Sequence, residues 1–228
     1  MTGVPVKRAA SAPSLPVVLL TGFEPFGGEA TNPSWEAVRV LQDARIGGHR
    51  IETRCLPVAF GAAGDALRAA IRATRPALVV CVGQAGGRER ISIERVAINV
   101  DDARIADNTG ARPVDRPVVA RGPAAYFSTL PVKRLCRDLQ HAGVPAEVSQ
   151  TAGTYVCNHV FYALMHALRR RPGVRGGFVH IPYSPEQARR HPGAPALPVA
   201  DVTAALRRMV AVAIRHADDV AIPGGATH

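Results

Sequence analysis

The chain has 228 residues, of which 47% are hydrophobic and 20% charged, a composition typical of a folded domain rather than a disordered chain. Its formal net charge of +10 comes mostly from arginines scattered over predicted helices and loops, only 5% of residues are aromatic, and no nucleic-acid-binding motif is present, so we expect no nucleic-acid partner. Because no apolar run approaches the length of a membrane span, we expect no membrane partner either.

Composition also predicts the domain boundaries. Residues 1–14 are rich in Ala, Ser and Pro, which predicts a disordered extension. Their serines and prolines interrupt any hydrophobic region, so a signal peptide is rejected and a cytoplasmic location is expected. Residues 15–217 are predicted to form a single α/β domain, and residues 218–228 a flexible tail.

Neither the cysteines nor the acidic residues predict a metal site. Cys55, Cys81 and Cys136 are interpreted as packing or surface residues, and with Cys157 they form no C-x-x-C pair, which argues against zinc and a disulfide scaffold. The acidic run 101–108 lacks both the spacing and the final glutamate of a calcium loop. We therefore expect no bound metal.

The first predicted strand leads into an unusual loop. Residues 17–20 form a short apolar run typical of a strand buried on both faces. The following loop is TGFEPFGG (21–28), which lacks the Lys-Ser/Thr pair of a phosphate loop. Its two aromatic residues, Phe23 and Phe26, either dock on the core or line a pocket. Asn32 and Pro33 then predict the cap and first residue of a helix.

The next segments alternate between strand and helix patterns. A strand over 51–58, a helix over 62–74 and a buried strand over 78–82 lead to a second glycine-rich loop, 83–88, at the carboxyl end of a strand. Ligands bind at that end in open α/β sheets.

The strand over 91–100 has a fault in its alternation. Ile91 and Ile93 are apolar at odd positions, whereas Val96 and Ile98 are apolar at even ones, so the phase slips at Glu94 and its neighbour. A bulge or bend is expected there, and bulges often re-aim a side chain near a site. Glu94 is therefore either a site residue or part of a solvent-facing kink.

The rest of the chain continues the alternation. We predict a helix over 131–142 capped by Thr129, strands over 146–150 and 177–183, and a last helix over 200–217. The proline-rich stretch 184–198 is predicted to be a mobile loop that could act as a lid. This order predicts a single-domain, three-layer α/β/α sandwich with a mixed, largely parallel central sheet.

A cysteine and a histidine stand out as candidate catalytic residues. Residues 153–162 (GTYVCNHVFY) open a predicted helix and place Cys157 in or near its first turn, where free N–H groups and the helix dipole favour a thiolate. A buried structural cysteine is the alternative. His180 alternates with apolar neighbours on its strand and is either structural or catalytic. A thiol, an imidazole and the Glu94 carboxylate can converge in such a sheet.

Six motifs in the same order along residues 17–215 resemble the pyroglutamyl-peptidase I (pyrrolidone-carboxylate peptidase) family: TGFEPFGG at 21–28, Asn32-Pro33, GQAGGR at 83–88, ERVAIN at 94–99, GTYVCN at 153–158 and HIPY at 180–183. The resemblance implies a cysteine peptidase that removes an N-terminal pyroglutamyl residue from peptides. It also implies an α/β/α fold, no cofactor, a cytosolic location and a homo-oligomer, either a dimer or a tetramer.

The same resemblance implies roles for particular residues. Cys157 would be the nucleophile, His180 the general base and Glu94 the residue that orients His180. The implied substrate pocket consists of Phe23, Phe26, Asn32, Gln84, Ile105, Tyr155 and Val156, and Arg104 would lie in the vicinity of the oxyanion.

The chemistry of pyroglutamate suits those residue types. Its ring is an uncharged lactam without a free α-amine, so it needs apolar walls and amide partners for the ring N–H and C=O. Phe23 and Phe26 can supply the walls, and Asn32 and Gln84 the amides. Two alternatives stay open at this point: a binding protein with an inert cysteine, and a cysteine amidase of another specificity.

Overall fold

The computed structural model describes residues 15–225, so the predicted extension 1–14 and residues 226–228 lie outside the described part. The elements, in chain order, are β1 (Val17–Phe23), α1 (Pro33–Arg39), β2 (Arg45–Ile46), β3 (His49–Leu56), α2 (Ala62–Thr74), β4 (Leu78–Gln84), β5 (Ile91–Glu94), β6 (Val96–Ile98), β7 (Ala125–Phe127), α3 (Val132–His141), β8 (Ala146–Ser149), α4 (Val156–Leu168), β9 (Arg175–Ile181), α5 (Pro185–Ala188) and α6 (Val199–Arg215).

Seven strands form one mixed sheet in the order β2-β3-β1-β4-β9-β5-β8. The central strands β3, β1, β4 and β9 are parallel to one another. Strand β5 runs antiparallel to β9 and parallel to β8, so these two strands reverse direction at one side of the sheet, while β2 pairs antiparallel with β3 at the other. The predicted mixed, largely parallel sheet is confirmed.

Alternation along the strands divides the core between the two faces of the sheet. Val18 and Leu20 pack with apolar residues of α1, α3 and α6, whereas Leu19 packs with residues of α2 and α4. On β9, Val179 belongs to the first core and Phe178 to the second. Because successive side chains point to opposite faces, the result is the predicted three-layer sandwich. No helix in residues 15–225 has the length and apolar character needed to cross a bilayer.

The phase slip predicted near Glu94 marks the point where the chain leaves the main sheet. Strand β5 ends at Glu94 in the seven-stranded sheet, and β6 begins at Val96 and pairs with β7 in a separate two-stranded sheet. The backbone N–H of Arg95 donates to the Ser149 carbonyl, and the Arg95 carbonyl accepts from Ser128, so the break leaves neither group unpaired. Glu94 is fully buried, which excludes a solvent-facing kink at that residue.

The helix starts show one correct prediction and one error. Asn32 caps α1, since its Oδ1 accepts from the N–H of Ser34 at 3.0 Å. Thr129 does not cap α3, because its hydroxyl hydrogen-bonds the backbone of Gly176 on β9.

The first turn of α3 is capped instead from the end of the chain. The carboxylate of Asp219 accepts from the N–H groups of Lys133 and Arg134, at 3.0 and 2.8 Å. Further along, the Gly224 carbonyl accepts from the guanidinium of Arg95. Residues 219–224 therefore contact the domain, and the flexibility predicted for 218–228 stays a prediction.

Candidate active site

Cys157 is the second residue of α4, as its predicted place in the first turn requires. The sulfur lies directly against the end of β4: a Cβ atom added to Gly83 would be only 2.9 Å from Sγ and 2.8 Å from the ring of Phe178. Any side chain at Gly83 would therefore displace the thiol.

His180 lies beside this position on the neighbouring strand. It pairs in register with Gly83, and paired residues of parallel strands share a face of the sheet, so the imidazole and the Cys157 sulfur occupy the same face at adjacent strands. The Nδ1 atom of His180 is 2.7 Å from Oε1 of Glu94. Because an ionised carboxylate only accepts, Nδ1 carries the hydrogen and Nε2 of the neutral ring is a free base.

Arg88 is a fourth member of this cluster, for which the sequence suggested no role. Its Nη1 atom donates to Glu94 Oε1 at 2.8 Å and to Ser149 Oγ at 3.2 Å, and its Nη2 atom donates to the Thr151 carbonyl at 2.9 Å. The guanidinium of Arg88 therefore links Glu94 to residues 149–151, which precede α4. The other carboxylate oxygen of Glu94, Oε2, is buried with no hydrogen-bond partner in residues 15–225.

Burial decides the protonation states of the cluster. It raises the pKa of the Cys157 thiol to about 12, with a further upward contribution from the Glu94 charge and an opposing one from Arg88. It also lowers the pKa of His180, although the hydrogen bond and charge of Glu94 act in the opposite direction. Desolvation therefore opposes the thiolate that the helix end favours, so a raised pKa of the thiol is combined with a lowered pKa of the imidazole.

A small cavity opens onto the sulfur. It is lined by Phe23, Phe26, Asn32, Val58, Gln84, Tyr155, Val156 and Cys157. Phe23 is buried in the core and also borders the cavity. It therefore both docks on the core and lines a pocket, the two alternatives that the sequence left open. The sequence did not single out Val58, whose only signal was its place at the end of a predicted strand.

Comparisons with known proteins place this arrangement in a family. The model of the family described as pyroglutamyl peptidase matches residues 17–216. The chain belongs to the pyroglutamyl peptidase family.

Individual members of this family of peptidases are similar along nearly their whole length. A pyrrolidone-carboxylate peptidase of Cupriavidus taiwanensis is 61% identical over 216 residues, covering 94% of this chain and all of the relative. The crystal structure of pyroglutamyl peptidase I from Bacillus amyloliquefaciens superposes with a TM-score of 0.89 at 48% identity, covering 92% of this chain and all of the other. The pyrrolidone carboxyl peptidase of Thermococcus litoralis gives a TM-score of 0.88 at 33% identity, with the same coverage.

Two site residues implied by the family resemblance lie outside the cavity lining. The side chain of Ile105 is 48% exposed, and Arg104 is exposed beside it. Their segment nevertheless adjoins the site, since the hydroxyl of Tyr155 donates to the Ala106 carbonyl at 3.0 Å. The pocket role of Ile105 and the oxyanion role of Arg104 stay predictions.

Asn32 combines a structural role with its place in the pocket of this family member. Its Oδ1 accepts from the N–H and the hydroxyl of Ser34, at 3.0 and 2.8 Å, and its Nδ2 donates to the Glu24 carbonyl. The amide oxygen is thus already engaged. Asn32 can offer a substrate an N–H, but not the acceptor that a ring N–H would need.

His159, two residues after Cys157 in α4, belongs to a separate pair. Its Nδ1 lies 2.8 Å from Asp101 Oδ2, and its Nε2 accepts from the N–H of Gly61 at 3.2 Å. Within residues 15–225, no group of three or more His, Cys, Asp and Glu side chains could hold a metal ion.

Proposed function

We propose that this family member hydrolyses the N-terminal pyroglutamyl residue of peptides, with Cys157 as nucleophile, His180 as general base and Glu94 as the residue that orients His180. The observation that carries the proposal is the His180–Glu94 contact of 2.7 Å, on the sheet face where the Cys157 sulfur borders a cavity. A thiol, a base and an orienting carboxylate in this order are what nucleophilic acyl transfer requires.

The first half of the reaction forms an acyl-enzyme. Nε2 of His180 removes the thiol proton as Sγ of Cys157 attacks the carbonyl carbon of the pyroglutamyl residue. The C–N bond then breaks, and the imidazolium returns the proton to the leaving amine. Because burial keeps the thiol protonated at rest, the base is needed at the moment of attack.

The second half restores the enzyme. His180 removes a proton from water, and the oxygen attacks the thioester carbon. The C–S bond then breaks to release pyroglutamate, and the imidazolium returns its proton to the leaving sulfur, which restores the thiol. Negative charge develops twice on the carbonyl oxygen. We propose that the backbone N–H groups of Val156 and Cys157, which open α4 and have no partner within the helix, receive it, and one such donor is worth about 3 kcal/mol. Arg104 is the exposed cation that we place near this oxyanion.

The cavity suits a lactam ring. Phe23, Phe26 and Tyr155 supply apolar surface, while Asn32 and Gln84 supply amide groups. A site that hydrogen-bonds the ring carbonyl rejects proline, because proline lacks that oxygen and its binding would leave buried amides unpaired. The Ile105 segment next to Tyr155 is proposed to complete the pocket.

Dye release from a pyroglutamyl-coumarin substrate tests the activity. We expect turnover by the wild type and by the control variant Cys55→Ser, which loses an exposed cysteine on β3, and no turnover by Cys157→Ser or after thiol alkylation. Binding of the substrate by the wild type without release of dye would contradict the peptidase and favour a binding module.

The location and assembly state are proposed from the family resemblance. We place the enzyme in the cytoplasm as a homo-oligomer, either a dimer or a tetramer, with pyroglutamyl peptides as its partners and no nucleic acid, membrane or cofactor. Light scattering of the purified protein tests the assembly, and a monomeric mass would contradict it.

A further inference from the structure

The short helix α5 contains a buried glutamine that reaches the substrate cavity through a second glutamine. Gln187 is only 2% exposed, although it lies in the proline-rich stretch predicted as a mobile loop. The N–H of Ser184 donates to Gln187 Oε1 at 3.2 Å, and the N–H of Gln187 donates to Ser184 Oγ at 3.3 Å. This reciprocal capping box holds the side chain against the sheet.

The direction of the Gln187 amide is fixed by backbone groups on both sides. The Ser184 N–H can only donate, so the amide oxygen must face it. The Thr31 carbonyl can only accept, and it lies 3.3 Å from Nε2. Rotation of the amide by half a turn would set oxygen against oxygen at Thr31 and nitrogen against N–H at Ser184. Gln187 therefore presents N–H groups to its remaining neighbour.

That neighbour is Gln84, which lines the cavity beside Cys157. Nε2 of Gln187 donates to Gln84 Oε1 at 3.0 Å, so the oxygen of Gln84 is engaged and its Nε2 is the group left to face the cavity. The oxygen of the Asn32 amide is likewise engaged, by Ser34. Both pocket amides thus have an N–H group to offer a ligand.

We propose that Gln187 is a positioning residue that sets the polarity of the substrate pocket: by holding the oxygen of Gln84, it turns the Gln84 amide into a donor for the ring carbonyl of the substrate. The inference rests on the proposed function, because that function supplies the lactam ring. It narrows the expectation that the two amides read both polar groups of the ring, since the hydrogen bonds they already make orient both amides to donate.

Two variants and a matched control test the role of Gln187. Gln187→Met keeps the volume but removes the donor, so the Gln84 amide is free to turn. Gln187→Glu puts an ionised carboxylate where the donor stood, so at pH 8 the Gln84 N–H should turn toward it and the Gln84 oxygen toward the cavity. Gln140→Met is the control, because Gln140 donates only to the Ala146 carbonyl at the far edge of the sheet.

The measurement is protection of Cys157 from iodoacetamide by small rings. We expect the dissociation constant of 2-pyrrolidone, which carries the ring carbonyl, to rise about tenfold in Gln187→Met and further in Gln187→Glu. We expect 2-iminopyrrolidine, whose exocyclic nitrogen donates, to protect the Glu variant better than the wild type. The alkylation rate without ligand should not change, because iodoacetamide does not need the ring site.

The outcomes separate this inference from the proposed function. If the wild type binds 2-pyrrolidone and cleaves the pyroglutamyl substrate, but both Gln187 variants keep the same ring preference, the role of Gln187 is wrong and the function stands. Equal losses for ligand binding and for alkylation without ligand would indicate a merely structural role and also overturn it. If the wild type neither binds the ring nor cleaves the substrate, both proposals fail.

Discussion

Two charged side chains act on His180 in opposite directions. Glu94 raises its pKa through a hydrogen bond and its negative charge, and Arg88, bound to the same carboxylate oxygen, lowers it. Burial is the largest influence and keeps the pKa below the ordinary histidine value of about 6.5. The imidazole must be unprotonated to accept the thiol proton, so activity should rise with pH through the pKa of His180.

Substitution of each charge should shift this acidic limb. In Glu94→Gln the midpoint of kcat/KM against pH should fall, and the maximum should drop at least about 10²-fold, because the ring loses the negative, acceptor-only partner that fixes its tautomer. In Arg88→Met the midpoint should rise. Profiles of kcat/KM between pH 4 and 8 measure both, with Arg90→Met as the control for a lost arginine. Shifts of the two variants in the same direction would contradict the assignment.

At the scale of residues, local patterns indicated Cys157, His180 and Glu94 as candidates but not the pKa shifts of Cys157 and His180. A first-turn cysteine, a strand histidine and a carboxylate at a phase slip are visible in local patterns. The burial that raises the pKa of Cys157 is not, because it comes partly from residues distant in the chain, such as Phe178 on β9. The contacts of Arg88 and Gln187 were missed for the same reason: no periodicity marks a side chain that bonds across loops.

At the scale of elements, α4 approaches the end of β4 closely because Gly83 has no side chain. We expect Gly83→Ala to lower kcat/KM at least about 10²-fold, because the new Cβ would displace the Cys157 sulfur from His180. Overpacking against Phe178 should also cost about 1–3 kcal/mol of stability.

Kinetics and thermal melting of Gly83→Ala measure the two effects. Gly225→Ala is the matched control, since a Cβ at that position meets nothing within 4 Å. An alanine variant at Gly83 with wild-type kcat/KM would show that the sulfur does not need this approach.

Long and strongly patterned elements were the predictable ones. The bounds of α2 agree with the predicted 62–74. The alternation around His180 is confirmed, because Val179 and Ile181 both belong to the first core whereas Phe178 belongs to the second. The strands β2 and β7 were missed because two or three residues are too few to establish a period of two. Strand β6 lies within the strand predicted over 91–100. The reversal of β5 and β8 was not predictable either, since apolar alternation carries no strand direction.

At the scale of the whole molecule, the last described residues return to the domain and cap α3. Asp219→Ala should lower the free energy of unfolding by about 1 kcal/mol, because two N–H groups of the first helical turn lose their acceptor. For a chain of this length that corresponds to a melting temperature lower by about 2–4 °C.

Calorimetry checks this prediction, and kcat/KM should not change. Asp218→Ala is the control, because it removes the same charge one residue earlier. The hydrogen bond that Arg134 donates to residue 218 goes to the backbone carbonyl, which the substitution keeps. Equal melting temperatures for the two variants would contradict the cap.

The chain leaves the main sheet after Glu94, and this departure separates the segment beside the pocket from the Glu94–His180 contact. The stretch between β6 and β7 begins only a few residues beyond Glu94. It passes near Tyr155, which bonds Ala106, and returns as β7; no hydrogen bond of the described residues joins it to Glu94 or His180. We therefore expect substitutions along that excursion to act through the pocket and the oxyanion, where Ile105 and Arg104 are proposed to lie, and not through the Glu94–His180 contact.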